Sequence, residues 1–233
     1  MAYILNLQDF QAKVLLQTIT DSATYIKVEL KVLEYLLTFW HGNTTPHAPY
    51  LFIDDSNLHR VFIINQDEKK IVSFSFQFTI KTVDYDISDS NNHVAQFNFI
   101  GERGIVLPQN ISDANGILQE LENNNSRYCF LDIDDVPEES IHLFEFLLLG
   151  EPGYLRYDND VRGYKPLIHP QHHIDVNFTP NISYKLGLCS GIDLSQLTSF
   201  VDNRKIRPTI NPITQLPSFH SNRSSKKKRY NKK

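Results

Sequence analysis

Between residues 154 and 175 the chain reads Tyr-Leu-Arg-Tyr-Asp-Asn-Asp-Val-Arg-Gly-Tyr-Lys-Pro-Leu-Ile-His-Pro-Gln-His-His-Ile-Asp, which gathers three of the nine histidines, two arginines and three aspartates. Strand parity sorts these residues, because successive side chains of a β-strand point to opposite faces. A strand over 172–178 puts His172, Ile174, Val176 and Phe178 on one face and His173, Asp175 and Asn177 on the other. In a strand over 154–158, Arg156 and Asp158 share a face. If the two strands pair with those faces aligned, Arg156, Asp158, His173 and Asp175 form one polar cluster with His169 at its rim. His-X-Asp on alternate positions can offer an imidazole and a carboxylate to one divalent metal, with His169, His173 and Asp175 as candidate ligands. It can equally supply a base and its orienter, while Arg156 binds a phosphate or an anionic transition state. Arg156, Asp158, His173 and Asp175 are therefore the candidate catalytic residues. The plainer alternative is a solvent-facing row of polar residues, with His172 in the core and Arg156 and Asp158 as a local ion pair.

Other constellations fit recognised chemistry less well. Ser190-Gly191 lacks the context of a nucleophile elbow, and neither Cys129 nor Cys189 has a histidine beside it in sequence. Gly101-Glu102-Arg103-Gly104 has no third glycine and no phosphate-loop lysine. Asp132, Asp134, Asp135, Glu138 and Glu139 lack the spacing and loop glycine of a calcium loop, and the start of a helix explains most of them. Two cysteines cannot build a disulfide scaffold and fit a reducing cytosol. The first residues carry neither a basic region nor a long apolar run, and no stretch of about 18 uncharged apolar residues exists. A cytoplasmic protein without a membrane span is expected.

Charge divides the chain into two parts. There are 27 acidic and 23 basic residues, but seven of the basic ones, Arg223, Lys226, Lys227, Lys228, Arg229, Lys232 and Lys233, lie in the last eleven positions. The remainder holds 16 basic against 27 acidic residues, so −11 over 1–222 adjoins a tail of +7. A mainly basic nucleic-acid-binding face is disfavoured for the body. The tail could track a phosphate backbone of DNA or RNA, with Tyr230 stacking on a base. A solvated tail that aids solubility is the alternative.

The elements that must position these residues follow from periodicity. Phe10, Val14 and Ile19, then Ile26, Leu30, Leu33, Leu37 and Trp40, recur at three- and four-residue steps and predict helices over about 8–19 and 22–39, with Asp21 or Ser22 as a cap between them. The stretch with Pro46 and Pro49 reads as a loop. Val61 to Ile64 reads as a short strand. From Ile71 to Ile80 the pattern alternates strictly, with Val72, Phe74, Phe76, Phe78 and Ile80 on one face of a single half-buried strand. A bulge near Val83, strands at 95–99 and 105–107, and a short helix from Ser112-Asp113 to Glu122 come next. A strand at 128–133, a helix opened by Pro137, strands at 154–158, 172–178 and 182–188, and a helix from Asp193 to Val201 complete the body. This is an α+β fold: a mainly antiparallel sheet with an N-terminal helical hairpin and inserted helices. Residues 1–202 form one domain, and 203–233, with Pro208, Pro212 and Pro217 before the lysine run, an extended, disordered basic tail.

Leu155-Arg156-Tyr157-Asp158 followed by His169-Pro170-Gln171-His172-His173-Ile174-Asp175-Val176 resembles an Arg-Tyr-Asp strand followed by a His-Pro-x-x-His strand in bacterial families from mobile-element, toxin-antitoxin and phage-defence loci. The resemblance covers about 25 of the 233 residues and matches Arg156, Asp158, His169 and His172. It marks His172 where parity marks His173. It implies a prokaryotic cytosolic protein that serves as an accessory or toxin-like component. Two functions follow as expectations. One is an interaction protein of such an assembly, binding a protein partner and contacting nucleic acid through Arg223, Lys226 to Arg229, Tyr230, Lys232 and Lys233, without a cofactor. The other is a metal-dependent nuclease or hydrolase built on the 156–175 cluster and using a divalent ion.

Overall fold

A computed structural model describes residues 2–67, 69–84, 93–99, 104–124, 136–165, 168–178 and 184–205; side chains are described for neither 82–84 and 93–99 nor Asn124. The order is β1 (Ala2–Asn6), α1 (Asp9–Leu15), α2 (Ser22–Phe39), β2 (Tyr50–Asp54), β3 (Arg60–Ile64), β4 (Lys70–Ser75), β5 (Phe78–Asp84), β6 (His93–Phe99), β7 (Ile105–Val106), α3 (Pro108–Asn124), α4 (Glu138–Leu149), β8 (Leu155–Asn159), β9 (His172–Val176), β10 (Tyr184–Leu188) and α5 (Leu194–Val201). Seven strands form one sheet in the order β1-β2-β3-β4-β8-β9-β10, and β5-β6-β7 form a second. Every described pairing is antiparallel. The fold is α+β.

Pleat parity splits the large sheet into two faces. Leu51, Ile53, Val61, Ile63, Val72 and Phe74 pack with Ile26, Leu30 and Leu33 of α2 in the larger core. Tyr50, Phe62, Ile64, Ile71, Leu155, Tyr157 and Ile174 point the other way and are covered by Leu197 of α5. Burying each such aliphatic side chain is worth about 1.5–3 kcal/mol. Helix α2 starts where Asp21 accepts the Thr24 N–H at 2.8 Å, the cap expected from the sequence. Helix α5 begins with a capping box between Asp193 and Gln196.

Two expectations need correction, and two strands were not expected. Ala2–Asn6 and Tyr50–Asp54 are paired strands, and the second starts directly after the expected loop with Pro46 and Pro49. The outer edge of β1 is closed by Asn43, whose side chain accepts from Ile4 N–H at 2.9 Å and donates to Ala2 C=O at 2.8 Å. The alternating run 71–80 is two strands in different sheets. At the break Ser75 N–H donates to Pro152 C=O and Phe76 N–H to His59 C=O. All of Val72, Phe74, Phe76, Phe78 and Ile80 are still buried in the same core, so the phase is unbroken although the sheet changes. Helix α3 begins at Pro108 and not at Ser112-Asp113. Proline suits the first helical position, and Asn110 Oδ1 accepts Leu107 N–H at 2.8 Å. Asp113 instead accepts the Ser140 hydroxyl of α4 at 2.8 Å. Val83 and Asp84 pair with Val94 and His93 in continuous register, and the residues beyond Asp84 on which the expected bulge near Val83 rests, the expected strand at 128–133 and the tail from residue 206 lie outside the described residues.

Candidate functional site

The hairpin β8–β9 pairs in the register that parity required. Arg156 lies opposite Asp175 and Asp158 opposite His173. On one flank Lys70 of β4 is opposite Asp158, and on the other Lys185 of β10 is opposite Asp175 and Gly187 opposite His173. Because cross-strand partners share a face, six residues from four strands meet on the side of the sheet that also carries α1 and α2.

Arg156 is the hub. Its Nε donates to Asp158 Oδ2 at 2.6 Å and its Nη2 to Asp175 Oδ2. Its side chain is 17% exposed. Burial pulls the guanidinium down, but Asp158, Tyr154 and Asp175 outweigh that and hold it above its ordinary value. Lys70 is pushed below its ordinary value by burial and by the Arg156 charge, against the pull of Asp158 and Asp175. Its Nζ donates to Leu16 C=O at the end of α1 at 2.6 Å.

His173 is buried, with 1% of its side chain exposed. A carbonyl can only accept, so the 2.8 Å contact from Nδ1 to Pro170 C=O places the proton on Nδ1. Nε2 then carries the lone pair and points into the cluster, 3.8 Å from Asp158 Oδ2 and from Asp175 Oδ2. Lys185 Nζ donates to Nε2 at 3.1 Å and also bonds Asp175 Oδ1. The Pro170 anchor depends on Gly187, where a Cβ would stand 2.8 Å from Pro170 Cγ. Asp158, His173 and Asp175 each offer one ligand atom within 4.8 Å of the others.

The structure thus brings Arg156, Asp158, His173 and Asp175 together. His169 stands at the rim, as expected, with its ring edge-on to His173 at 4.6 Å, but its Nε2 faces Asp160 Oδ2 at 3.1 Å. The trio facing a common point is Asp158, His173 and Asp175, so His169 is not one of the three. Asp160 also accepts the Gly163 N–H at 2.7 Å, which holds its carboxyl below the ordinary range. His172 projects to the opposite face, where its Nδ1 meets the Tyr157 hydroxyl at 3.0 Å. Sequence reasoning missed Lys70 and Lys185. The parity of Lys185 within the expected strand 182–188 was the available signal. Arg223, Lys226 to Arg229, Tyr230, Lys232 and Lys233 lie outside the described residues.

Comparison with family models, with characterised proteins and with solved structures finds no match to this chain. No described helix is long and apolar enough to cross a membrane.

Proposed function

We propose that the protein is an accessory component of a prokaryotic defence or toxin-antitoxin type assembly, acting in the cytoplasm by binding a protein partner and contacting nucleic acid through its basic end. The observation that carries this reading is the separation of charge. Residues 206–233 contain eight of the 23 basic residues and no acidic one, which leaves 15 basic against 27 acidic residues in 1–205. An acidic body repels phosphate, so contact with nucleic acid falls to the end of the chain. The 156–175 cluster supports the non-catalytic half, since Arg156 and Lys185 already neutralise its two carboxylates. Phe10, 59% exposed on α1, and Phe39 at the end of α2 offer apolar surface to a partner. The defence setting rests on the resemblance of 155–176 alone.

Deleting 223–233 tests the tail. The full chain should bind single- or double-stranded nucleic acid with a log–log salt slope on the order of −5 to −6, from roughly 0.7–0.9 counterion per neutralised phosphate. The shortened chain should lose that binding and keep its melting temperature. Equal binding by both chains would remove the tail from the function.

A second reading, a metal-dependent nuclease or hydrolase, is favoured by the fixed tautomer of His173, whose Nε2 lone pair faces two carboxylates. Histidines that bind metal commonly donate the other ring N–H to a carbonyl, as His173 does to Pro170. His173→Ala and Asp175→Ala should each abolish a divalent-ion-dependent cleavage of nucleic acid. A wild-type chain that cleaves nothing with Mg2+, Mn2+ or Zn2+ disposes of it.

A further inference from the structure

The ammonium of Lys185 bonds two of the three side chains that could hold a metal ion. It donates to the lone pair of His173 Nε2 at 3.1 Å and bonds Asp175 Oδ1, and Asp158 completes the set of groups within 4.8 Å of one another. Arg156 holds the Oδ2 oxygens of Asp158 and Asp175, each 3.8 Å from His173 Nε2, whereas Lys185 holds Asp175 Oδ1. Lys185 stands on β10, which ends the order of the seven-stranded sheet, and 35% of its side chain is exposed. A four-carbon stem in that place can turn its head to water at little cost.

We propose that Asp158, His173 and Asp175 form a binding site for a divalent ion of the zinc class, and that Lys185 is its resident cation, exchanged for the metal when the metal binds. The inference rests on the metal-binding premise of the second reading above and adds the gate. One imidazole and two carboxylates suit a borderline ion such as Zn2+ better than Mg2+, which prefers oxygen ligands and retains its water. With Lys70 beside it, the Asp158, Asp175, Arg156 and Lys185 group counts two carboxylates against three cations, or +1, with Lys185 in place. With a divalent ion in place of Lys185 it becomes +2. The loaded site would therefore favour an anionic fourth ligand such as a phosphate oxygen. Without metal the buried imidazole and carboxylates keep their partners, so the empty site does not destabilise the sheet. Lys185 makes metal binding weak and selective, and the metal in turn releases a charged side chain at the sheet edge.

Calorimetric titration of the full chain with Zn2+ tests this, with Co2+ absorption reporting the ligands and Mg2+ as the comparison. The Lys185→Ala and Lys185→Gln chains should bind Zn2+ at least tenfold more tightly than wild type. Adding His173→Ala or Asp175→Asn to either should abolish the gain. Equal affinity of wild type and both Lys185 variants would overturn the gate and leave the metal site standing. Absence of Zn2+ binding in wild type and in both variants, with native circular dichroism, would overturn the gate and the metal reading together. Tightening that survives His173→Ala and Asp175→Asn would put the metal elsewhere and overturn the proposed site.

Discussion

Replacing Arg156 by methionine keeps most of the aliphatic volume and removes the charge that joins two carboxylates. In wild type the guanidinium bonds Asp158 Oδ2 at 2.6 Å and also Asp175 Oδ2, and the three side chains are 17, 17 and 13% exposed. Two unit charges about 4 Å apart interact by roughly 4 kcal/mol at an effective dielectric of about 20. Desolvation offsets much of that in the intact pair, but removing one member leaves the other charge buried, at about 3–5 kcal/mol. The remaining exposure places the cluster at the lower end, so Arg156→Met should lower the unfolding free energy by roughly 3 kcal/mol at pH 7. The two aspartates would then face each other without the guanidinium between them. Urea denaturation of both chains at pH 7 measures this. A deficit below about 1 kcal/mol would mean that the pairs are ordinary solvated surface contacts and that the cluster is not a closed electrostatic unit.

Glu29, wholly buried on α2 and pushed up to about 8 by that burial, should make wild-type stability fall as pH rises from about 4.5 to 8, by up to about 1.4 kcal/mol per pH unit. The stability gap between Glu29→Gln and wild type should widen across that window in urea melts, and parallel curves would rule out a buried neutral acid. Gly187→Ala should displace Pro170 and cost about 1–3 kcal/mol; ring nitrogen shifts of His173 should report loss of the Nδ1–H bond to Pro170, and unchanged shifts would refute the link. Asn43→Ala should cost about 1 kcal/mol and raise self-association in sedimentation velocity, because it strips the N–H of Ile4 and the C=O of Ala2 on an edge strand.

The elements that sequence reading recovered are those whose pattern is set within the element. Helix α2 has both its apolar spacing and its Asp21 cap in one window, and α5 has Asp193 and Gln196. What it missed depends on distant partners. Tyr50–Asp54 follows two prolines that suggest a loop, and it becomes a strand because β1 and β3 flank it. The run 71–80 looked continuous because parity reports which side is buried and not which neighbour receives the hydrogen bonds. Ser112-Asp113 looked like a cap because serine and aspartate favour caps, yet α4 supplies Ser140 as the partner for Asp113.

The same distinction explains the site. Arg156, Asp158, His173 and Asp175 lie on two strands that are neighbours along the chain, so parity and a hairpin sufficed to bring them together. Lys70 comes from β4, separated from β8 by a second sheet and two helices, and nothing local to it suggests a carboxylate across the strand. Lys185 needed the register of a third strand, which parity alone leaves free to slip by two residues without changing faces. That slip would have mattered. Two residues either way would move the ammonium off Asp175 and leave the lone pair of His173 facing two carboxylates without the cation that now bonds both it and Asp175. The observed register, in which Lys185 meets Asp175 and Gly187 makes room for Pro170, supplies that cation and fixes the imidazole at once. A cluster that merely solvated a strand face would need neither condition. The cation site proposed above needs both.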